Sequence, residues 1–198
     1  MDKITELNQE IQKNPNDVKL YYSRGVAFAA EGNFEKAISD FSRVIEIIPN
    51  DSIYCNRGMM YFNIKEYEKA IADFTKVIEI APKDYEAFYF RGEARKLRKE
   101  YDLAILDYNE SISINPNYSK AYLSRGVVYG VKKDDYKGVI DFEAALRLGL
   151  DTQGIETVKS LTVSSYNRQQ AMKNLGGDYL TPKFLEIVER INILLEKN

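Results

Sequence analysis

The chain has 198 residues, a formal net charge of −2, 29% charged residues and 44% hydrophobic ones, a balance that suits a folded chain with apolar surface to bury and argues against long disorder. With no basic excess and no Lys/Arg cluster it lacks the electrostatic footprint of a nucleic-acid binder, and no comparable patch invites an anionic membrane. No apolar run is long enough to span a bilayer.

Read from the amino terminus, Met1 to Lys13 carries acidic residues without a basic start followed by an apolar run, so no signal peptide is expected and the chain is assigned to the cytoplasm. Leu7 and Pro15 stand in phase with Phe41 and Pro49, which makes residues 4 to 14 look like the second helix of a truncated repeat. An Arg-Gly pair then recurs at Arg24-Gly25, Arg57-Gly58, Arg91-Gly92 and Arg125-Gly126, spaced 33, 34 and 34 residues apart. A fixed period of this length means that each repeat is one supersecondary unit, too small to bury its own apolar face and stacked on its neighbours.

Each repeat opens on a turn: Pro15-Asn16-Asp17, Pro49-Asn50-Asp51, Pro82-Lys83-Asp84 and Pro116-Asn117-Tyr118. Proline stops the preceding helix, and an Asp two residues later is placed to cap the next. First helices are expected to reach about Glu31, Lys65, Arg98 and Val131, and Tyr21, Tyr54, Phe88 and Tyr122, each four residues before the glycine, are assigned to the core. Second helices follow from Phe34, Tyr67 and Tyr101, with Ala37, Ala70 and Ala104 three residues on and Phe41, Phe74, Tyr108 and Phe142 after them. One residue is missing between Pro49 and Gly58, which should shorten a turn or a helix and alter the rotation between the first two repeats. The fourth repeat is degenerate, with Tyr136 one residue late, Gly138-Val139 in place of alanine and Gly149 in place of the closing proline.

Glycine inside a helix costs about 1 kcal/mol against alanine, so its recurrence needs a packing reason, here close approach of two helix backbones. Arg24, Arg57, Arg91 and Arg125 in the first helices are matched by Asp40, Asp73, Asp107 and Asp141 in the second. The favoured reading is a ladder of Arg–carboxylate pairs; the alternative is an arginine row that grips an acidic ligand.

Beyond the repeats, residues 152 to 175 read as a weaker helix, with Val158, Leu161, Met172 and Leu175 roughly in phase, a candidate break at Thr162 to Ser165 and an end at Gly176-Gly177. Thr181-Pro182 starts a last helix whose apolar face is Phe184, Ile187, Val188, Ile191, Leu194 and Leu195. That face is expected to cap the fourth repeat; the other readings are that it lies in the chain's own groove or pairs with another chain, giving a homo-oligomer.

The chain has no histidine, which removes the commonest general base, the commonest metal ligand and the Ser-His and Cys-His nucleophile arrangements. Cys55, the one cysteine, has no such base beside it and cannot form an internal disulfide. Glycines fall singly at helix-packing positions, so no phosphate-cradling loop exists. Asp134-Asp135 reads as a solvated loop pair, and the sequons at Asn109 and Asn117 carry no meaning without export. No catalytic, cofactor-binding or metal-binding residue is assigned, and the chain is not expected to be an enzyme.

An aromatic, a glycine four residues on, an aromatic three further, then alanine, aromatic and a closing proline resemble the tetratricopeptide repeat family over Asp17 to about Leu148. The resemblance implies an all-α fold, antiparallel helix pairs stacked in a right-handed superhelix whose concave groove is lined by the first helices. It divides the chain into an amino-terminal half-repeat at 1–16, four repeats over 17–150 (17–49, 50–82, 83–116 and 117–149) and carboxyl-terminal capping helices at 151–198. The groove positions that follow are Tyr22 and Val26 in the first repeat, Cys55, Asn56, Met59 and Phe62 in the second, Tyr89, Phe90, Glu93 and Lys96 in the third, and Leu123, Ser124 and Val127 in the fourth. This surface is unusually apolar, as partner sites are. The Lys/Asn/Arg clamp with which chaperone-binding members hold a carboxyl-terminal peptide is matched at one position of five, Asn56, so that role is not expected. The resemblance implies a non-catalytic module that binds a peptide or helix of a partner protein, with Asn56, Glu93 and Lys96 fixing register. Structural self-assembly through the solenoid ends or the last helix, and a secretion chaperone, are the other readings.

Overall fold

In a computed structural model, residues 2–174 and 181–197 are described. They form eleven α-helices, and no strand occurs among the described residues. The chain divides into two compact units, Met1–Lys99 and Glu100–Asn198.

The first unit holds α1 (Lys3–Lys13), α2 (Val18–Ala30), α3 (Phe34–Ile47), α4 (Asp51–Asn63), α5 (Tyr67–Ile80) and α6 (Tyr85–Leu97), each packed on the one before. Asp17 caps α2 by accepting from the Lys19 amide, and Asp84 caps α6 by accepting from Glu86 and Ala87. At the shortened turn the cap is Asn50, which accepts from the Ile53 amide; Asp51 is already helical. The missing residue therefore comes out of the turn, while α4 keeps the 13 residues of α2 and α6. Tyr118, which stands where the other turns carry an acid or amide, makes no side-chain cap.

Within a repeat, the turn from first to second helix is a Schellman motif. Amides of Asn33 and Glu66 return to the Phe28 and Tyr61 carbonyls at 2.8 and 2.9 Å, and the residue before each has positive φ: Gly32 at 74° and Lys65 at 64°. Lys99 and Lys133 repeat the conformation at 63° and 62°.

The core of this unit is Phe28, Ala37, Phe41, Val44 and Ile53, with a second cluster of Ala70, Phe74 and Ala94. The aromatics four residues before the glycines lie at the margin of the core, Tyr21 packing against its first cluster. Tyr21, Tyr54 and Phe88 are half-buried, each with a guanidinium over its ring: Arg24 at 5.5 Å, Arg57 at 5.8 Å and Arg91 at 5.5 Å. Backbone contact does not explain the recurrent glycine. A Cβ on Gly25 would lie 2.9 Å from the Phe41 ring and one on Gly58 3.1 Å from Phe74, so the glycine makes room for a ring edge.

The second unit holds α7 (Tyr101–Ile114), α8 (Ser119–Val131), α9 (Asp135–Leu148), α10 (Thr152–Asn174) and α11 (Pro182–Glu196). Gly126 repeats the ring contact, a Cβ there standing 2.6 Å from Phe142, and the backbone approach expected of glycine occurs instead at Gly138, where a Cβ would stand 3.3 Å from the Gly126 carbonyl oxygen. The core is Val139, Phe142, Leu146, Val158, Phe184, Ile187 and Ile191, drawn from α9, α10 and α11. The last helix thus buries Phe184, Ile187 and Ile191 against the fourth repeat. Thr181 caps it through the Phe184 amide, with Pro182 in the first turn.

Two expectations are corrected here. The α10 helix runs unbroken through Thr162 to Ser165, because Thr162 and Ser165 are buried in the packing and tertiary contact outweighs their weak propensity. Asp134-Asp135 is not a solvated pair: Asp134 caps α9, and Asp135, 3% exposed, receives the Arg168 guanidinium and the Gln169 amide from α10. The Met172 side chain, Leu175 and the Gly176-Gly177 helix end lie outside the described residues.

Ion pairs also tie the last helices down. Arg190 of α11 binds Glu143 of α9 through Nε and Nη2 at 2.9 and 2.8 Å, as Arg168 of α10 binds Asp135. Burial raises the pKa of both carboxyls, and the hydrogen bonds from Arg190 and Arg147 on Glu143, and from Arg168 and Gln169 on Asp135, outweigh it and hold both below the usual carboxylate range.

Alanine at the glycines should destabilise in the order of the ring contacts: Gly126 most, then Gly25, then Gly58. The size is about 1–3 kcal/mol of overpacking less up to about 1 kcal/mol of helix propensity, read from denaturant midpoints. Because the folded pKa values of Asp135 and Glu143 are depressed, their contribution is complete above about pH 4–5 and is lost as pH falls through the folded values. Amide protection, taken relative to the intrinsic exchange rate at each pH and followed downward from pH 5, should therefore be lost in α10 and α11 before α2 to α5.

Candidate functional site

The recurrent arginines are spoken for by the fold. Arg24 donates through Nε and Nη2 to the two oxygens of Asp40 at 2.8 and 2.7 Å; Arg57 and Asp73 do so at 2.8 Å twice, and Arg125 and Asp141 at 2.8 and 2.7 Å. The third nitrogen reaches back to the second helix of the preceding repeat: Arg24 Nη1 to Asn8, Arg57 to Ser42, Arg91 to Thr75 and Arg125 to Asn109. Asp40, Asp73 and Asp141 are 3–4% exposed, and at Asp141 burial raises the pKa against the pull of Arg125. A fork closed on a carboxylate and a preceding-repeat acceptor is not presented to a ligand, so the ladder is structural.

What α2, α4 and α6 leave open is apolar and uneven. On α2, Tyr22 is 37% exposed and Val26 43%. On α4 and α6, Cys55, Met59, Phe62 and Phe90 are half-buried against Ala70, Phe74 and Ala94, with Phe74 and Phe90 stacked at 5.8 Å. Tyr89 meets Phe90 edge-on at 5.2 Å. Those five side chains show the surface only their outer parts. Asn56 is half-buried, and its side chain makes no hydrogen bond among the described residues. Glu93 and Lys96, expected to fix register, face each other instead: Lys96 Nζ donates to both Glu93 oxygens at 2.8 and 2.7 Å, a pair a ligand would have to open.

Beside Tyr22 lies a hollow of about 350 Å³ whose apolar wall is Val18, Val44, Ile48 and Ile53, with Lys19, Ser23, Asn50 and Ser52 around it. Sequence reasoning missed Lys19, Ile48 and Asn50. Ile48 and Asn50 belong to the shortened turn between α3 and α4, and Lys19 to the first turn of α2.

Cys55 has its pKa pushed up to about 11, first by burial and then by Asp84, Glu86 and Asp51, so at neutral pH it is a thiol and a poor nucleophile. Among the described residues no group of three or more His, Cys, Asp or Glu could hold a metal ion, and no helix is long and apolar enough to cross a membrane.

The fourth-repeat positions differ. Leu123 and Val127 pack against the cluster of α9, α10 and α11, and Ser124 is 7% exposed. Val127 shares a hollow with Glu156, Thr157 and Leu161 of α10. This part of the expected surface is taken up inside the second unit, because α10 packs on α8 as well as on α9.

Comparison with known proteins agrees with this geometry. Tetratricopeptide repeat profiles match residues 18–51, 52–84 and 85–118, together just over half of the chain. No curated protein matches it. Among solved structures, a crystal structure of MamA is 26% identical, covering 73% of this chain and 85% of its own with a TM-score of 0.70, and MamA from Desulfovibrio magneticus RS-1 is 25% identical over 73% and 82% with a TM-score of 0.68. YrrB, described as a tetratricopeptide-repeat protein with an unusual peptide-binding site, shares the fold at 16% identity, with 79% and 81% covered and a TM-score of 0.71. Repeat period, helix pairing and matched profiles lead to one assignment: the chain belongs to the tetratricopeptide repeat family, whose fold is a non-catalytic protein-interaction scaffold.

Proposed function

We propose that the surface of α2, α4 and α6 in the first unit binds an apolar segment of a partner protein. The observation that carries this is the pairing of two exposed side chains, Tyr22 and Val26, with the hollow beside Tyr22, whose wall is Val18, Val44, Ile48 and Ile53. Ile48 is 53% exposed, apolar area that a folded unit leaves in water only at a cost.

A partner side chain entering the hollow would bury this area, and the outer parts of Met59, Tyr89 and Phe90 extend the apolar track along α4 and α6. Asn56 offers an unused amide for register, and the Glu93–Lys96 pair offers both signs of charge one turn apart. YrrB, with its peptide-binding site, supports the reading to the extent that the same fold accepts a peptide. The Leu123, Ser124 and Val127 positions are left out, since they are covered within the second unit.

Glutamate at both Tyr22 and Val26 should leave the fold intact, as both positions are exposed, and should weaken capture of the partner at least about tenfold, or about 1.4 kcal/mol. The measurement compares the proteins retained from a source-cell lysate by the wild-type chain and by the doubly substituted chain, with circular dichroism as the folding control. Equal retention by both would overturn the proposal.

A further inference from the structure

A second open surface lies in the other unit. Between α10 and α11 runs a cleft of about 350 Å³ lined by Val163 and Tyr166 on one side and by Leu185, Val188, Glu189 and Asn192 on the other. Val163 is 59% exposed, Leu185 40% and Tyr166 37%. Thr162 in its wall is 3% exposed, and its buried hydroxyl has no hydrogen-bond partner among the described residues. The lining positions fall at i, i+3, i+4 and i+7 on α11 and i, i+3 on α10, so the channel follows the helix axes for about two turns, about 10 Å at 1.5 Å per residue.

We propose that this cleft receives an amphipathic helix of a partner protein, with a Lys or Arg beside its apolar stripe. Two observations select this occupant. Both walls are α-helical, so their backbone groups are paired along the helices and the cleft offers no sheet edge; an extended segment would bury unpaired amides, whereas a helix satisfies its own. At the rim, Glu189 is exposed and has no hydrogen-bond or ion-pair partner among the described residues, while its neighbours Glu186 and Arg190 are paired with each other. An apolar track with a single unmatched carboxylate is complementary to an apolar stripe with a cation. The surface is independent of the one on α2, α4 and α6, so the chain would hold two partners, or two parts of one.

The test is selection of a phage-displayed library of short helices, with leucine fixed at i, i+4 and i+7 and the other positions randomised, on the full chain. Recovered helices are expected to carry Lys or Arg flanking the leucines. They should lose at least about tenfold in affinity on Leu185→Glu or Glu189→Lys, recover on Glu189→Lys when their own cation is changed to Glu, and bind the Tyr22→Glu, Val26→Glu chain unchanged. All four substituted positions, Leu185 and Glu189 at the cleft and Tyr22 and Val26 on α2, are exposed, and circular dichroism confirms folding. The proposal is overturned if no helix is recovered, if the recovered helices lack a cation, if they bind Leu185→Glu as well as wild type, or if sedimentation shows self-association that Leu185→Glu abolishes, which would make the occupant a second copy.

Discussion

The lock between an Arg-Gly pair on a first helix and an Asp-Phe pair on the second is the contact on which the repeats depend. Arg24-Gly25 meets Asp40-Phe41, Arg57-Gly58 meets Asp73-Phe74, and Arg125-Gly126 meets Asp141-Phe142. Arginine closes its fork on the carboxylate, and the glycine beside it admits the edge of the ring that follows. The aromatic three residues before the arginine then lies under the guanidinium. One side of the first helix is thereby set against one register of the second.

A buried ion pair contributes little net stability compared with a hydrophobic pair of the same volume, because desolvation offsets the attraction, but it is costly to break from one side. Its use here is registration. The spare nitrogen of each fork reaches the preceding repeat, so the group that aligns two helices of one repeat also aligns that repeat with its predecessor. For a solenoid, where each repeat touches only its neighbours, such a local and repeated contact is what can be propagated. It also removes the arginine row from any ligand and leaves recognition to the side chains that the lock does not use.

Legibility followed periodicity. Helix pairs, the Arg–Asp ladder and the cap on the fourth repeat could be read because each rests on a pattern that recurs or on one apolar face. What escaped rests on single contacts. Lys65, Lys99 and Lys133 take the left-handed turn position that Gly32 fills in the first repeat, and nothing in a lysine announces positive φ. Asn50 replaces Asp51 as cap because a lost residue shifts the turn, and Thr162 to Ser165 stays helical because packing overrides propensity. At the candidate surface, the positions on α2 read as exposed and are so. Leu123 and Val127 also pack against the cluster of α9, α10 and α11, of which α10 and α11 lie outside the repeat period, and the Glu93–Lys96 pairing could not be told from two free charges.

Recognition in this account falls to surfaces that the repeat pattern leaves unspecified: the uneven face of α2, α4 and α6 with its shortened turn, and the cleft between the last two helices. Both presuppose that the arginine ladder belongs to the fold. A double-mutant cycle on Arg57 and Asp73, read by denaturant unfolding, tests this most directly. Each alanine change is predicted to cost about 3 kcal/mol or more, and the double change clearly less than the sum, since each single leaves a buried charge unpaired. Single changes within about 0.5 kcal/mol of wild type, or strictly additive ones, would contradict the account.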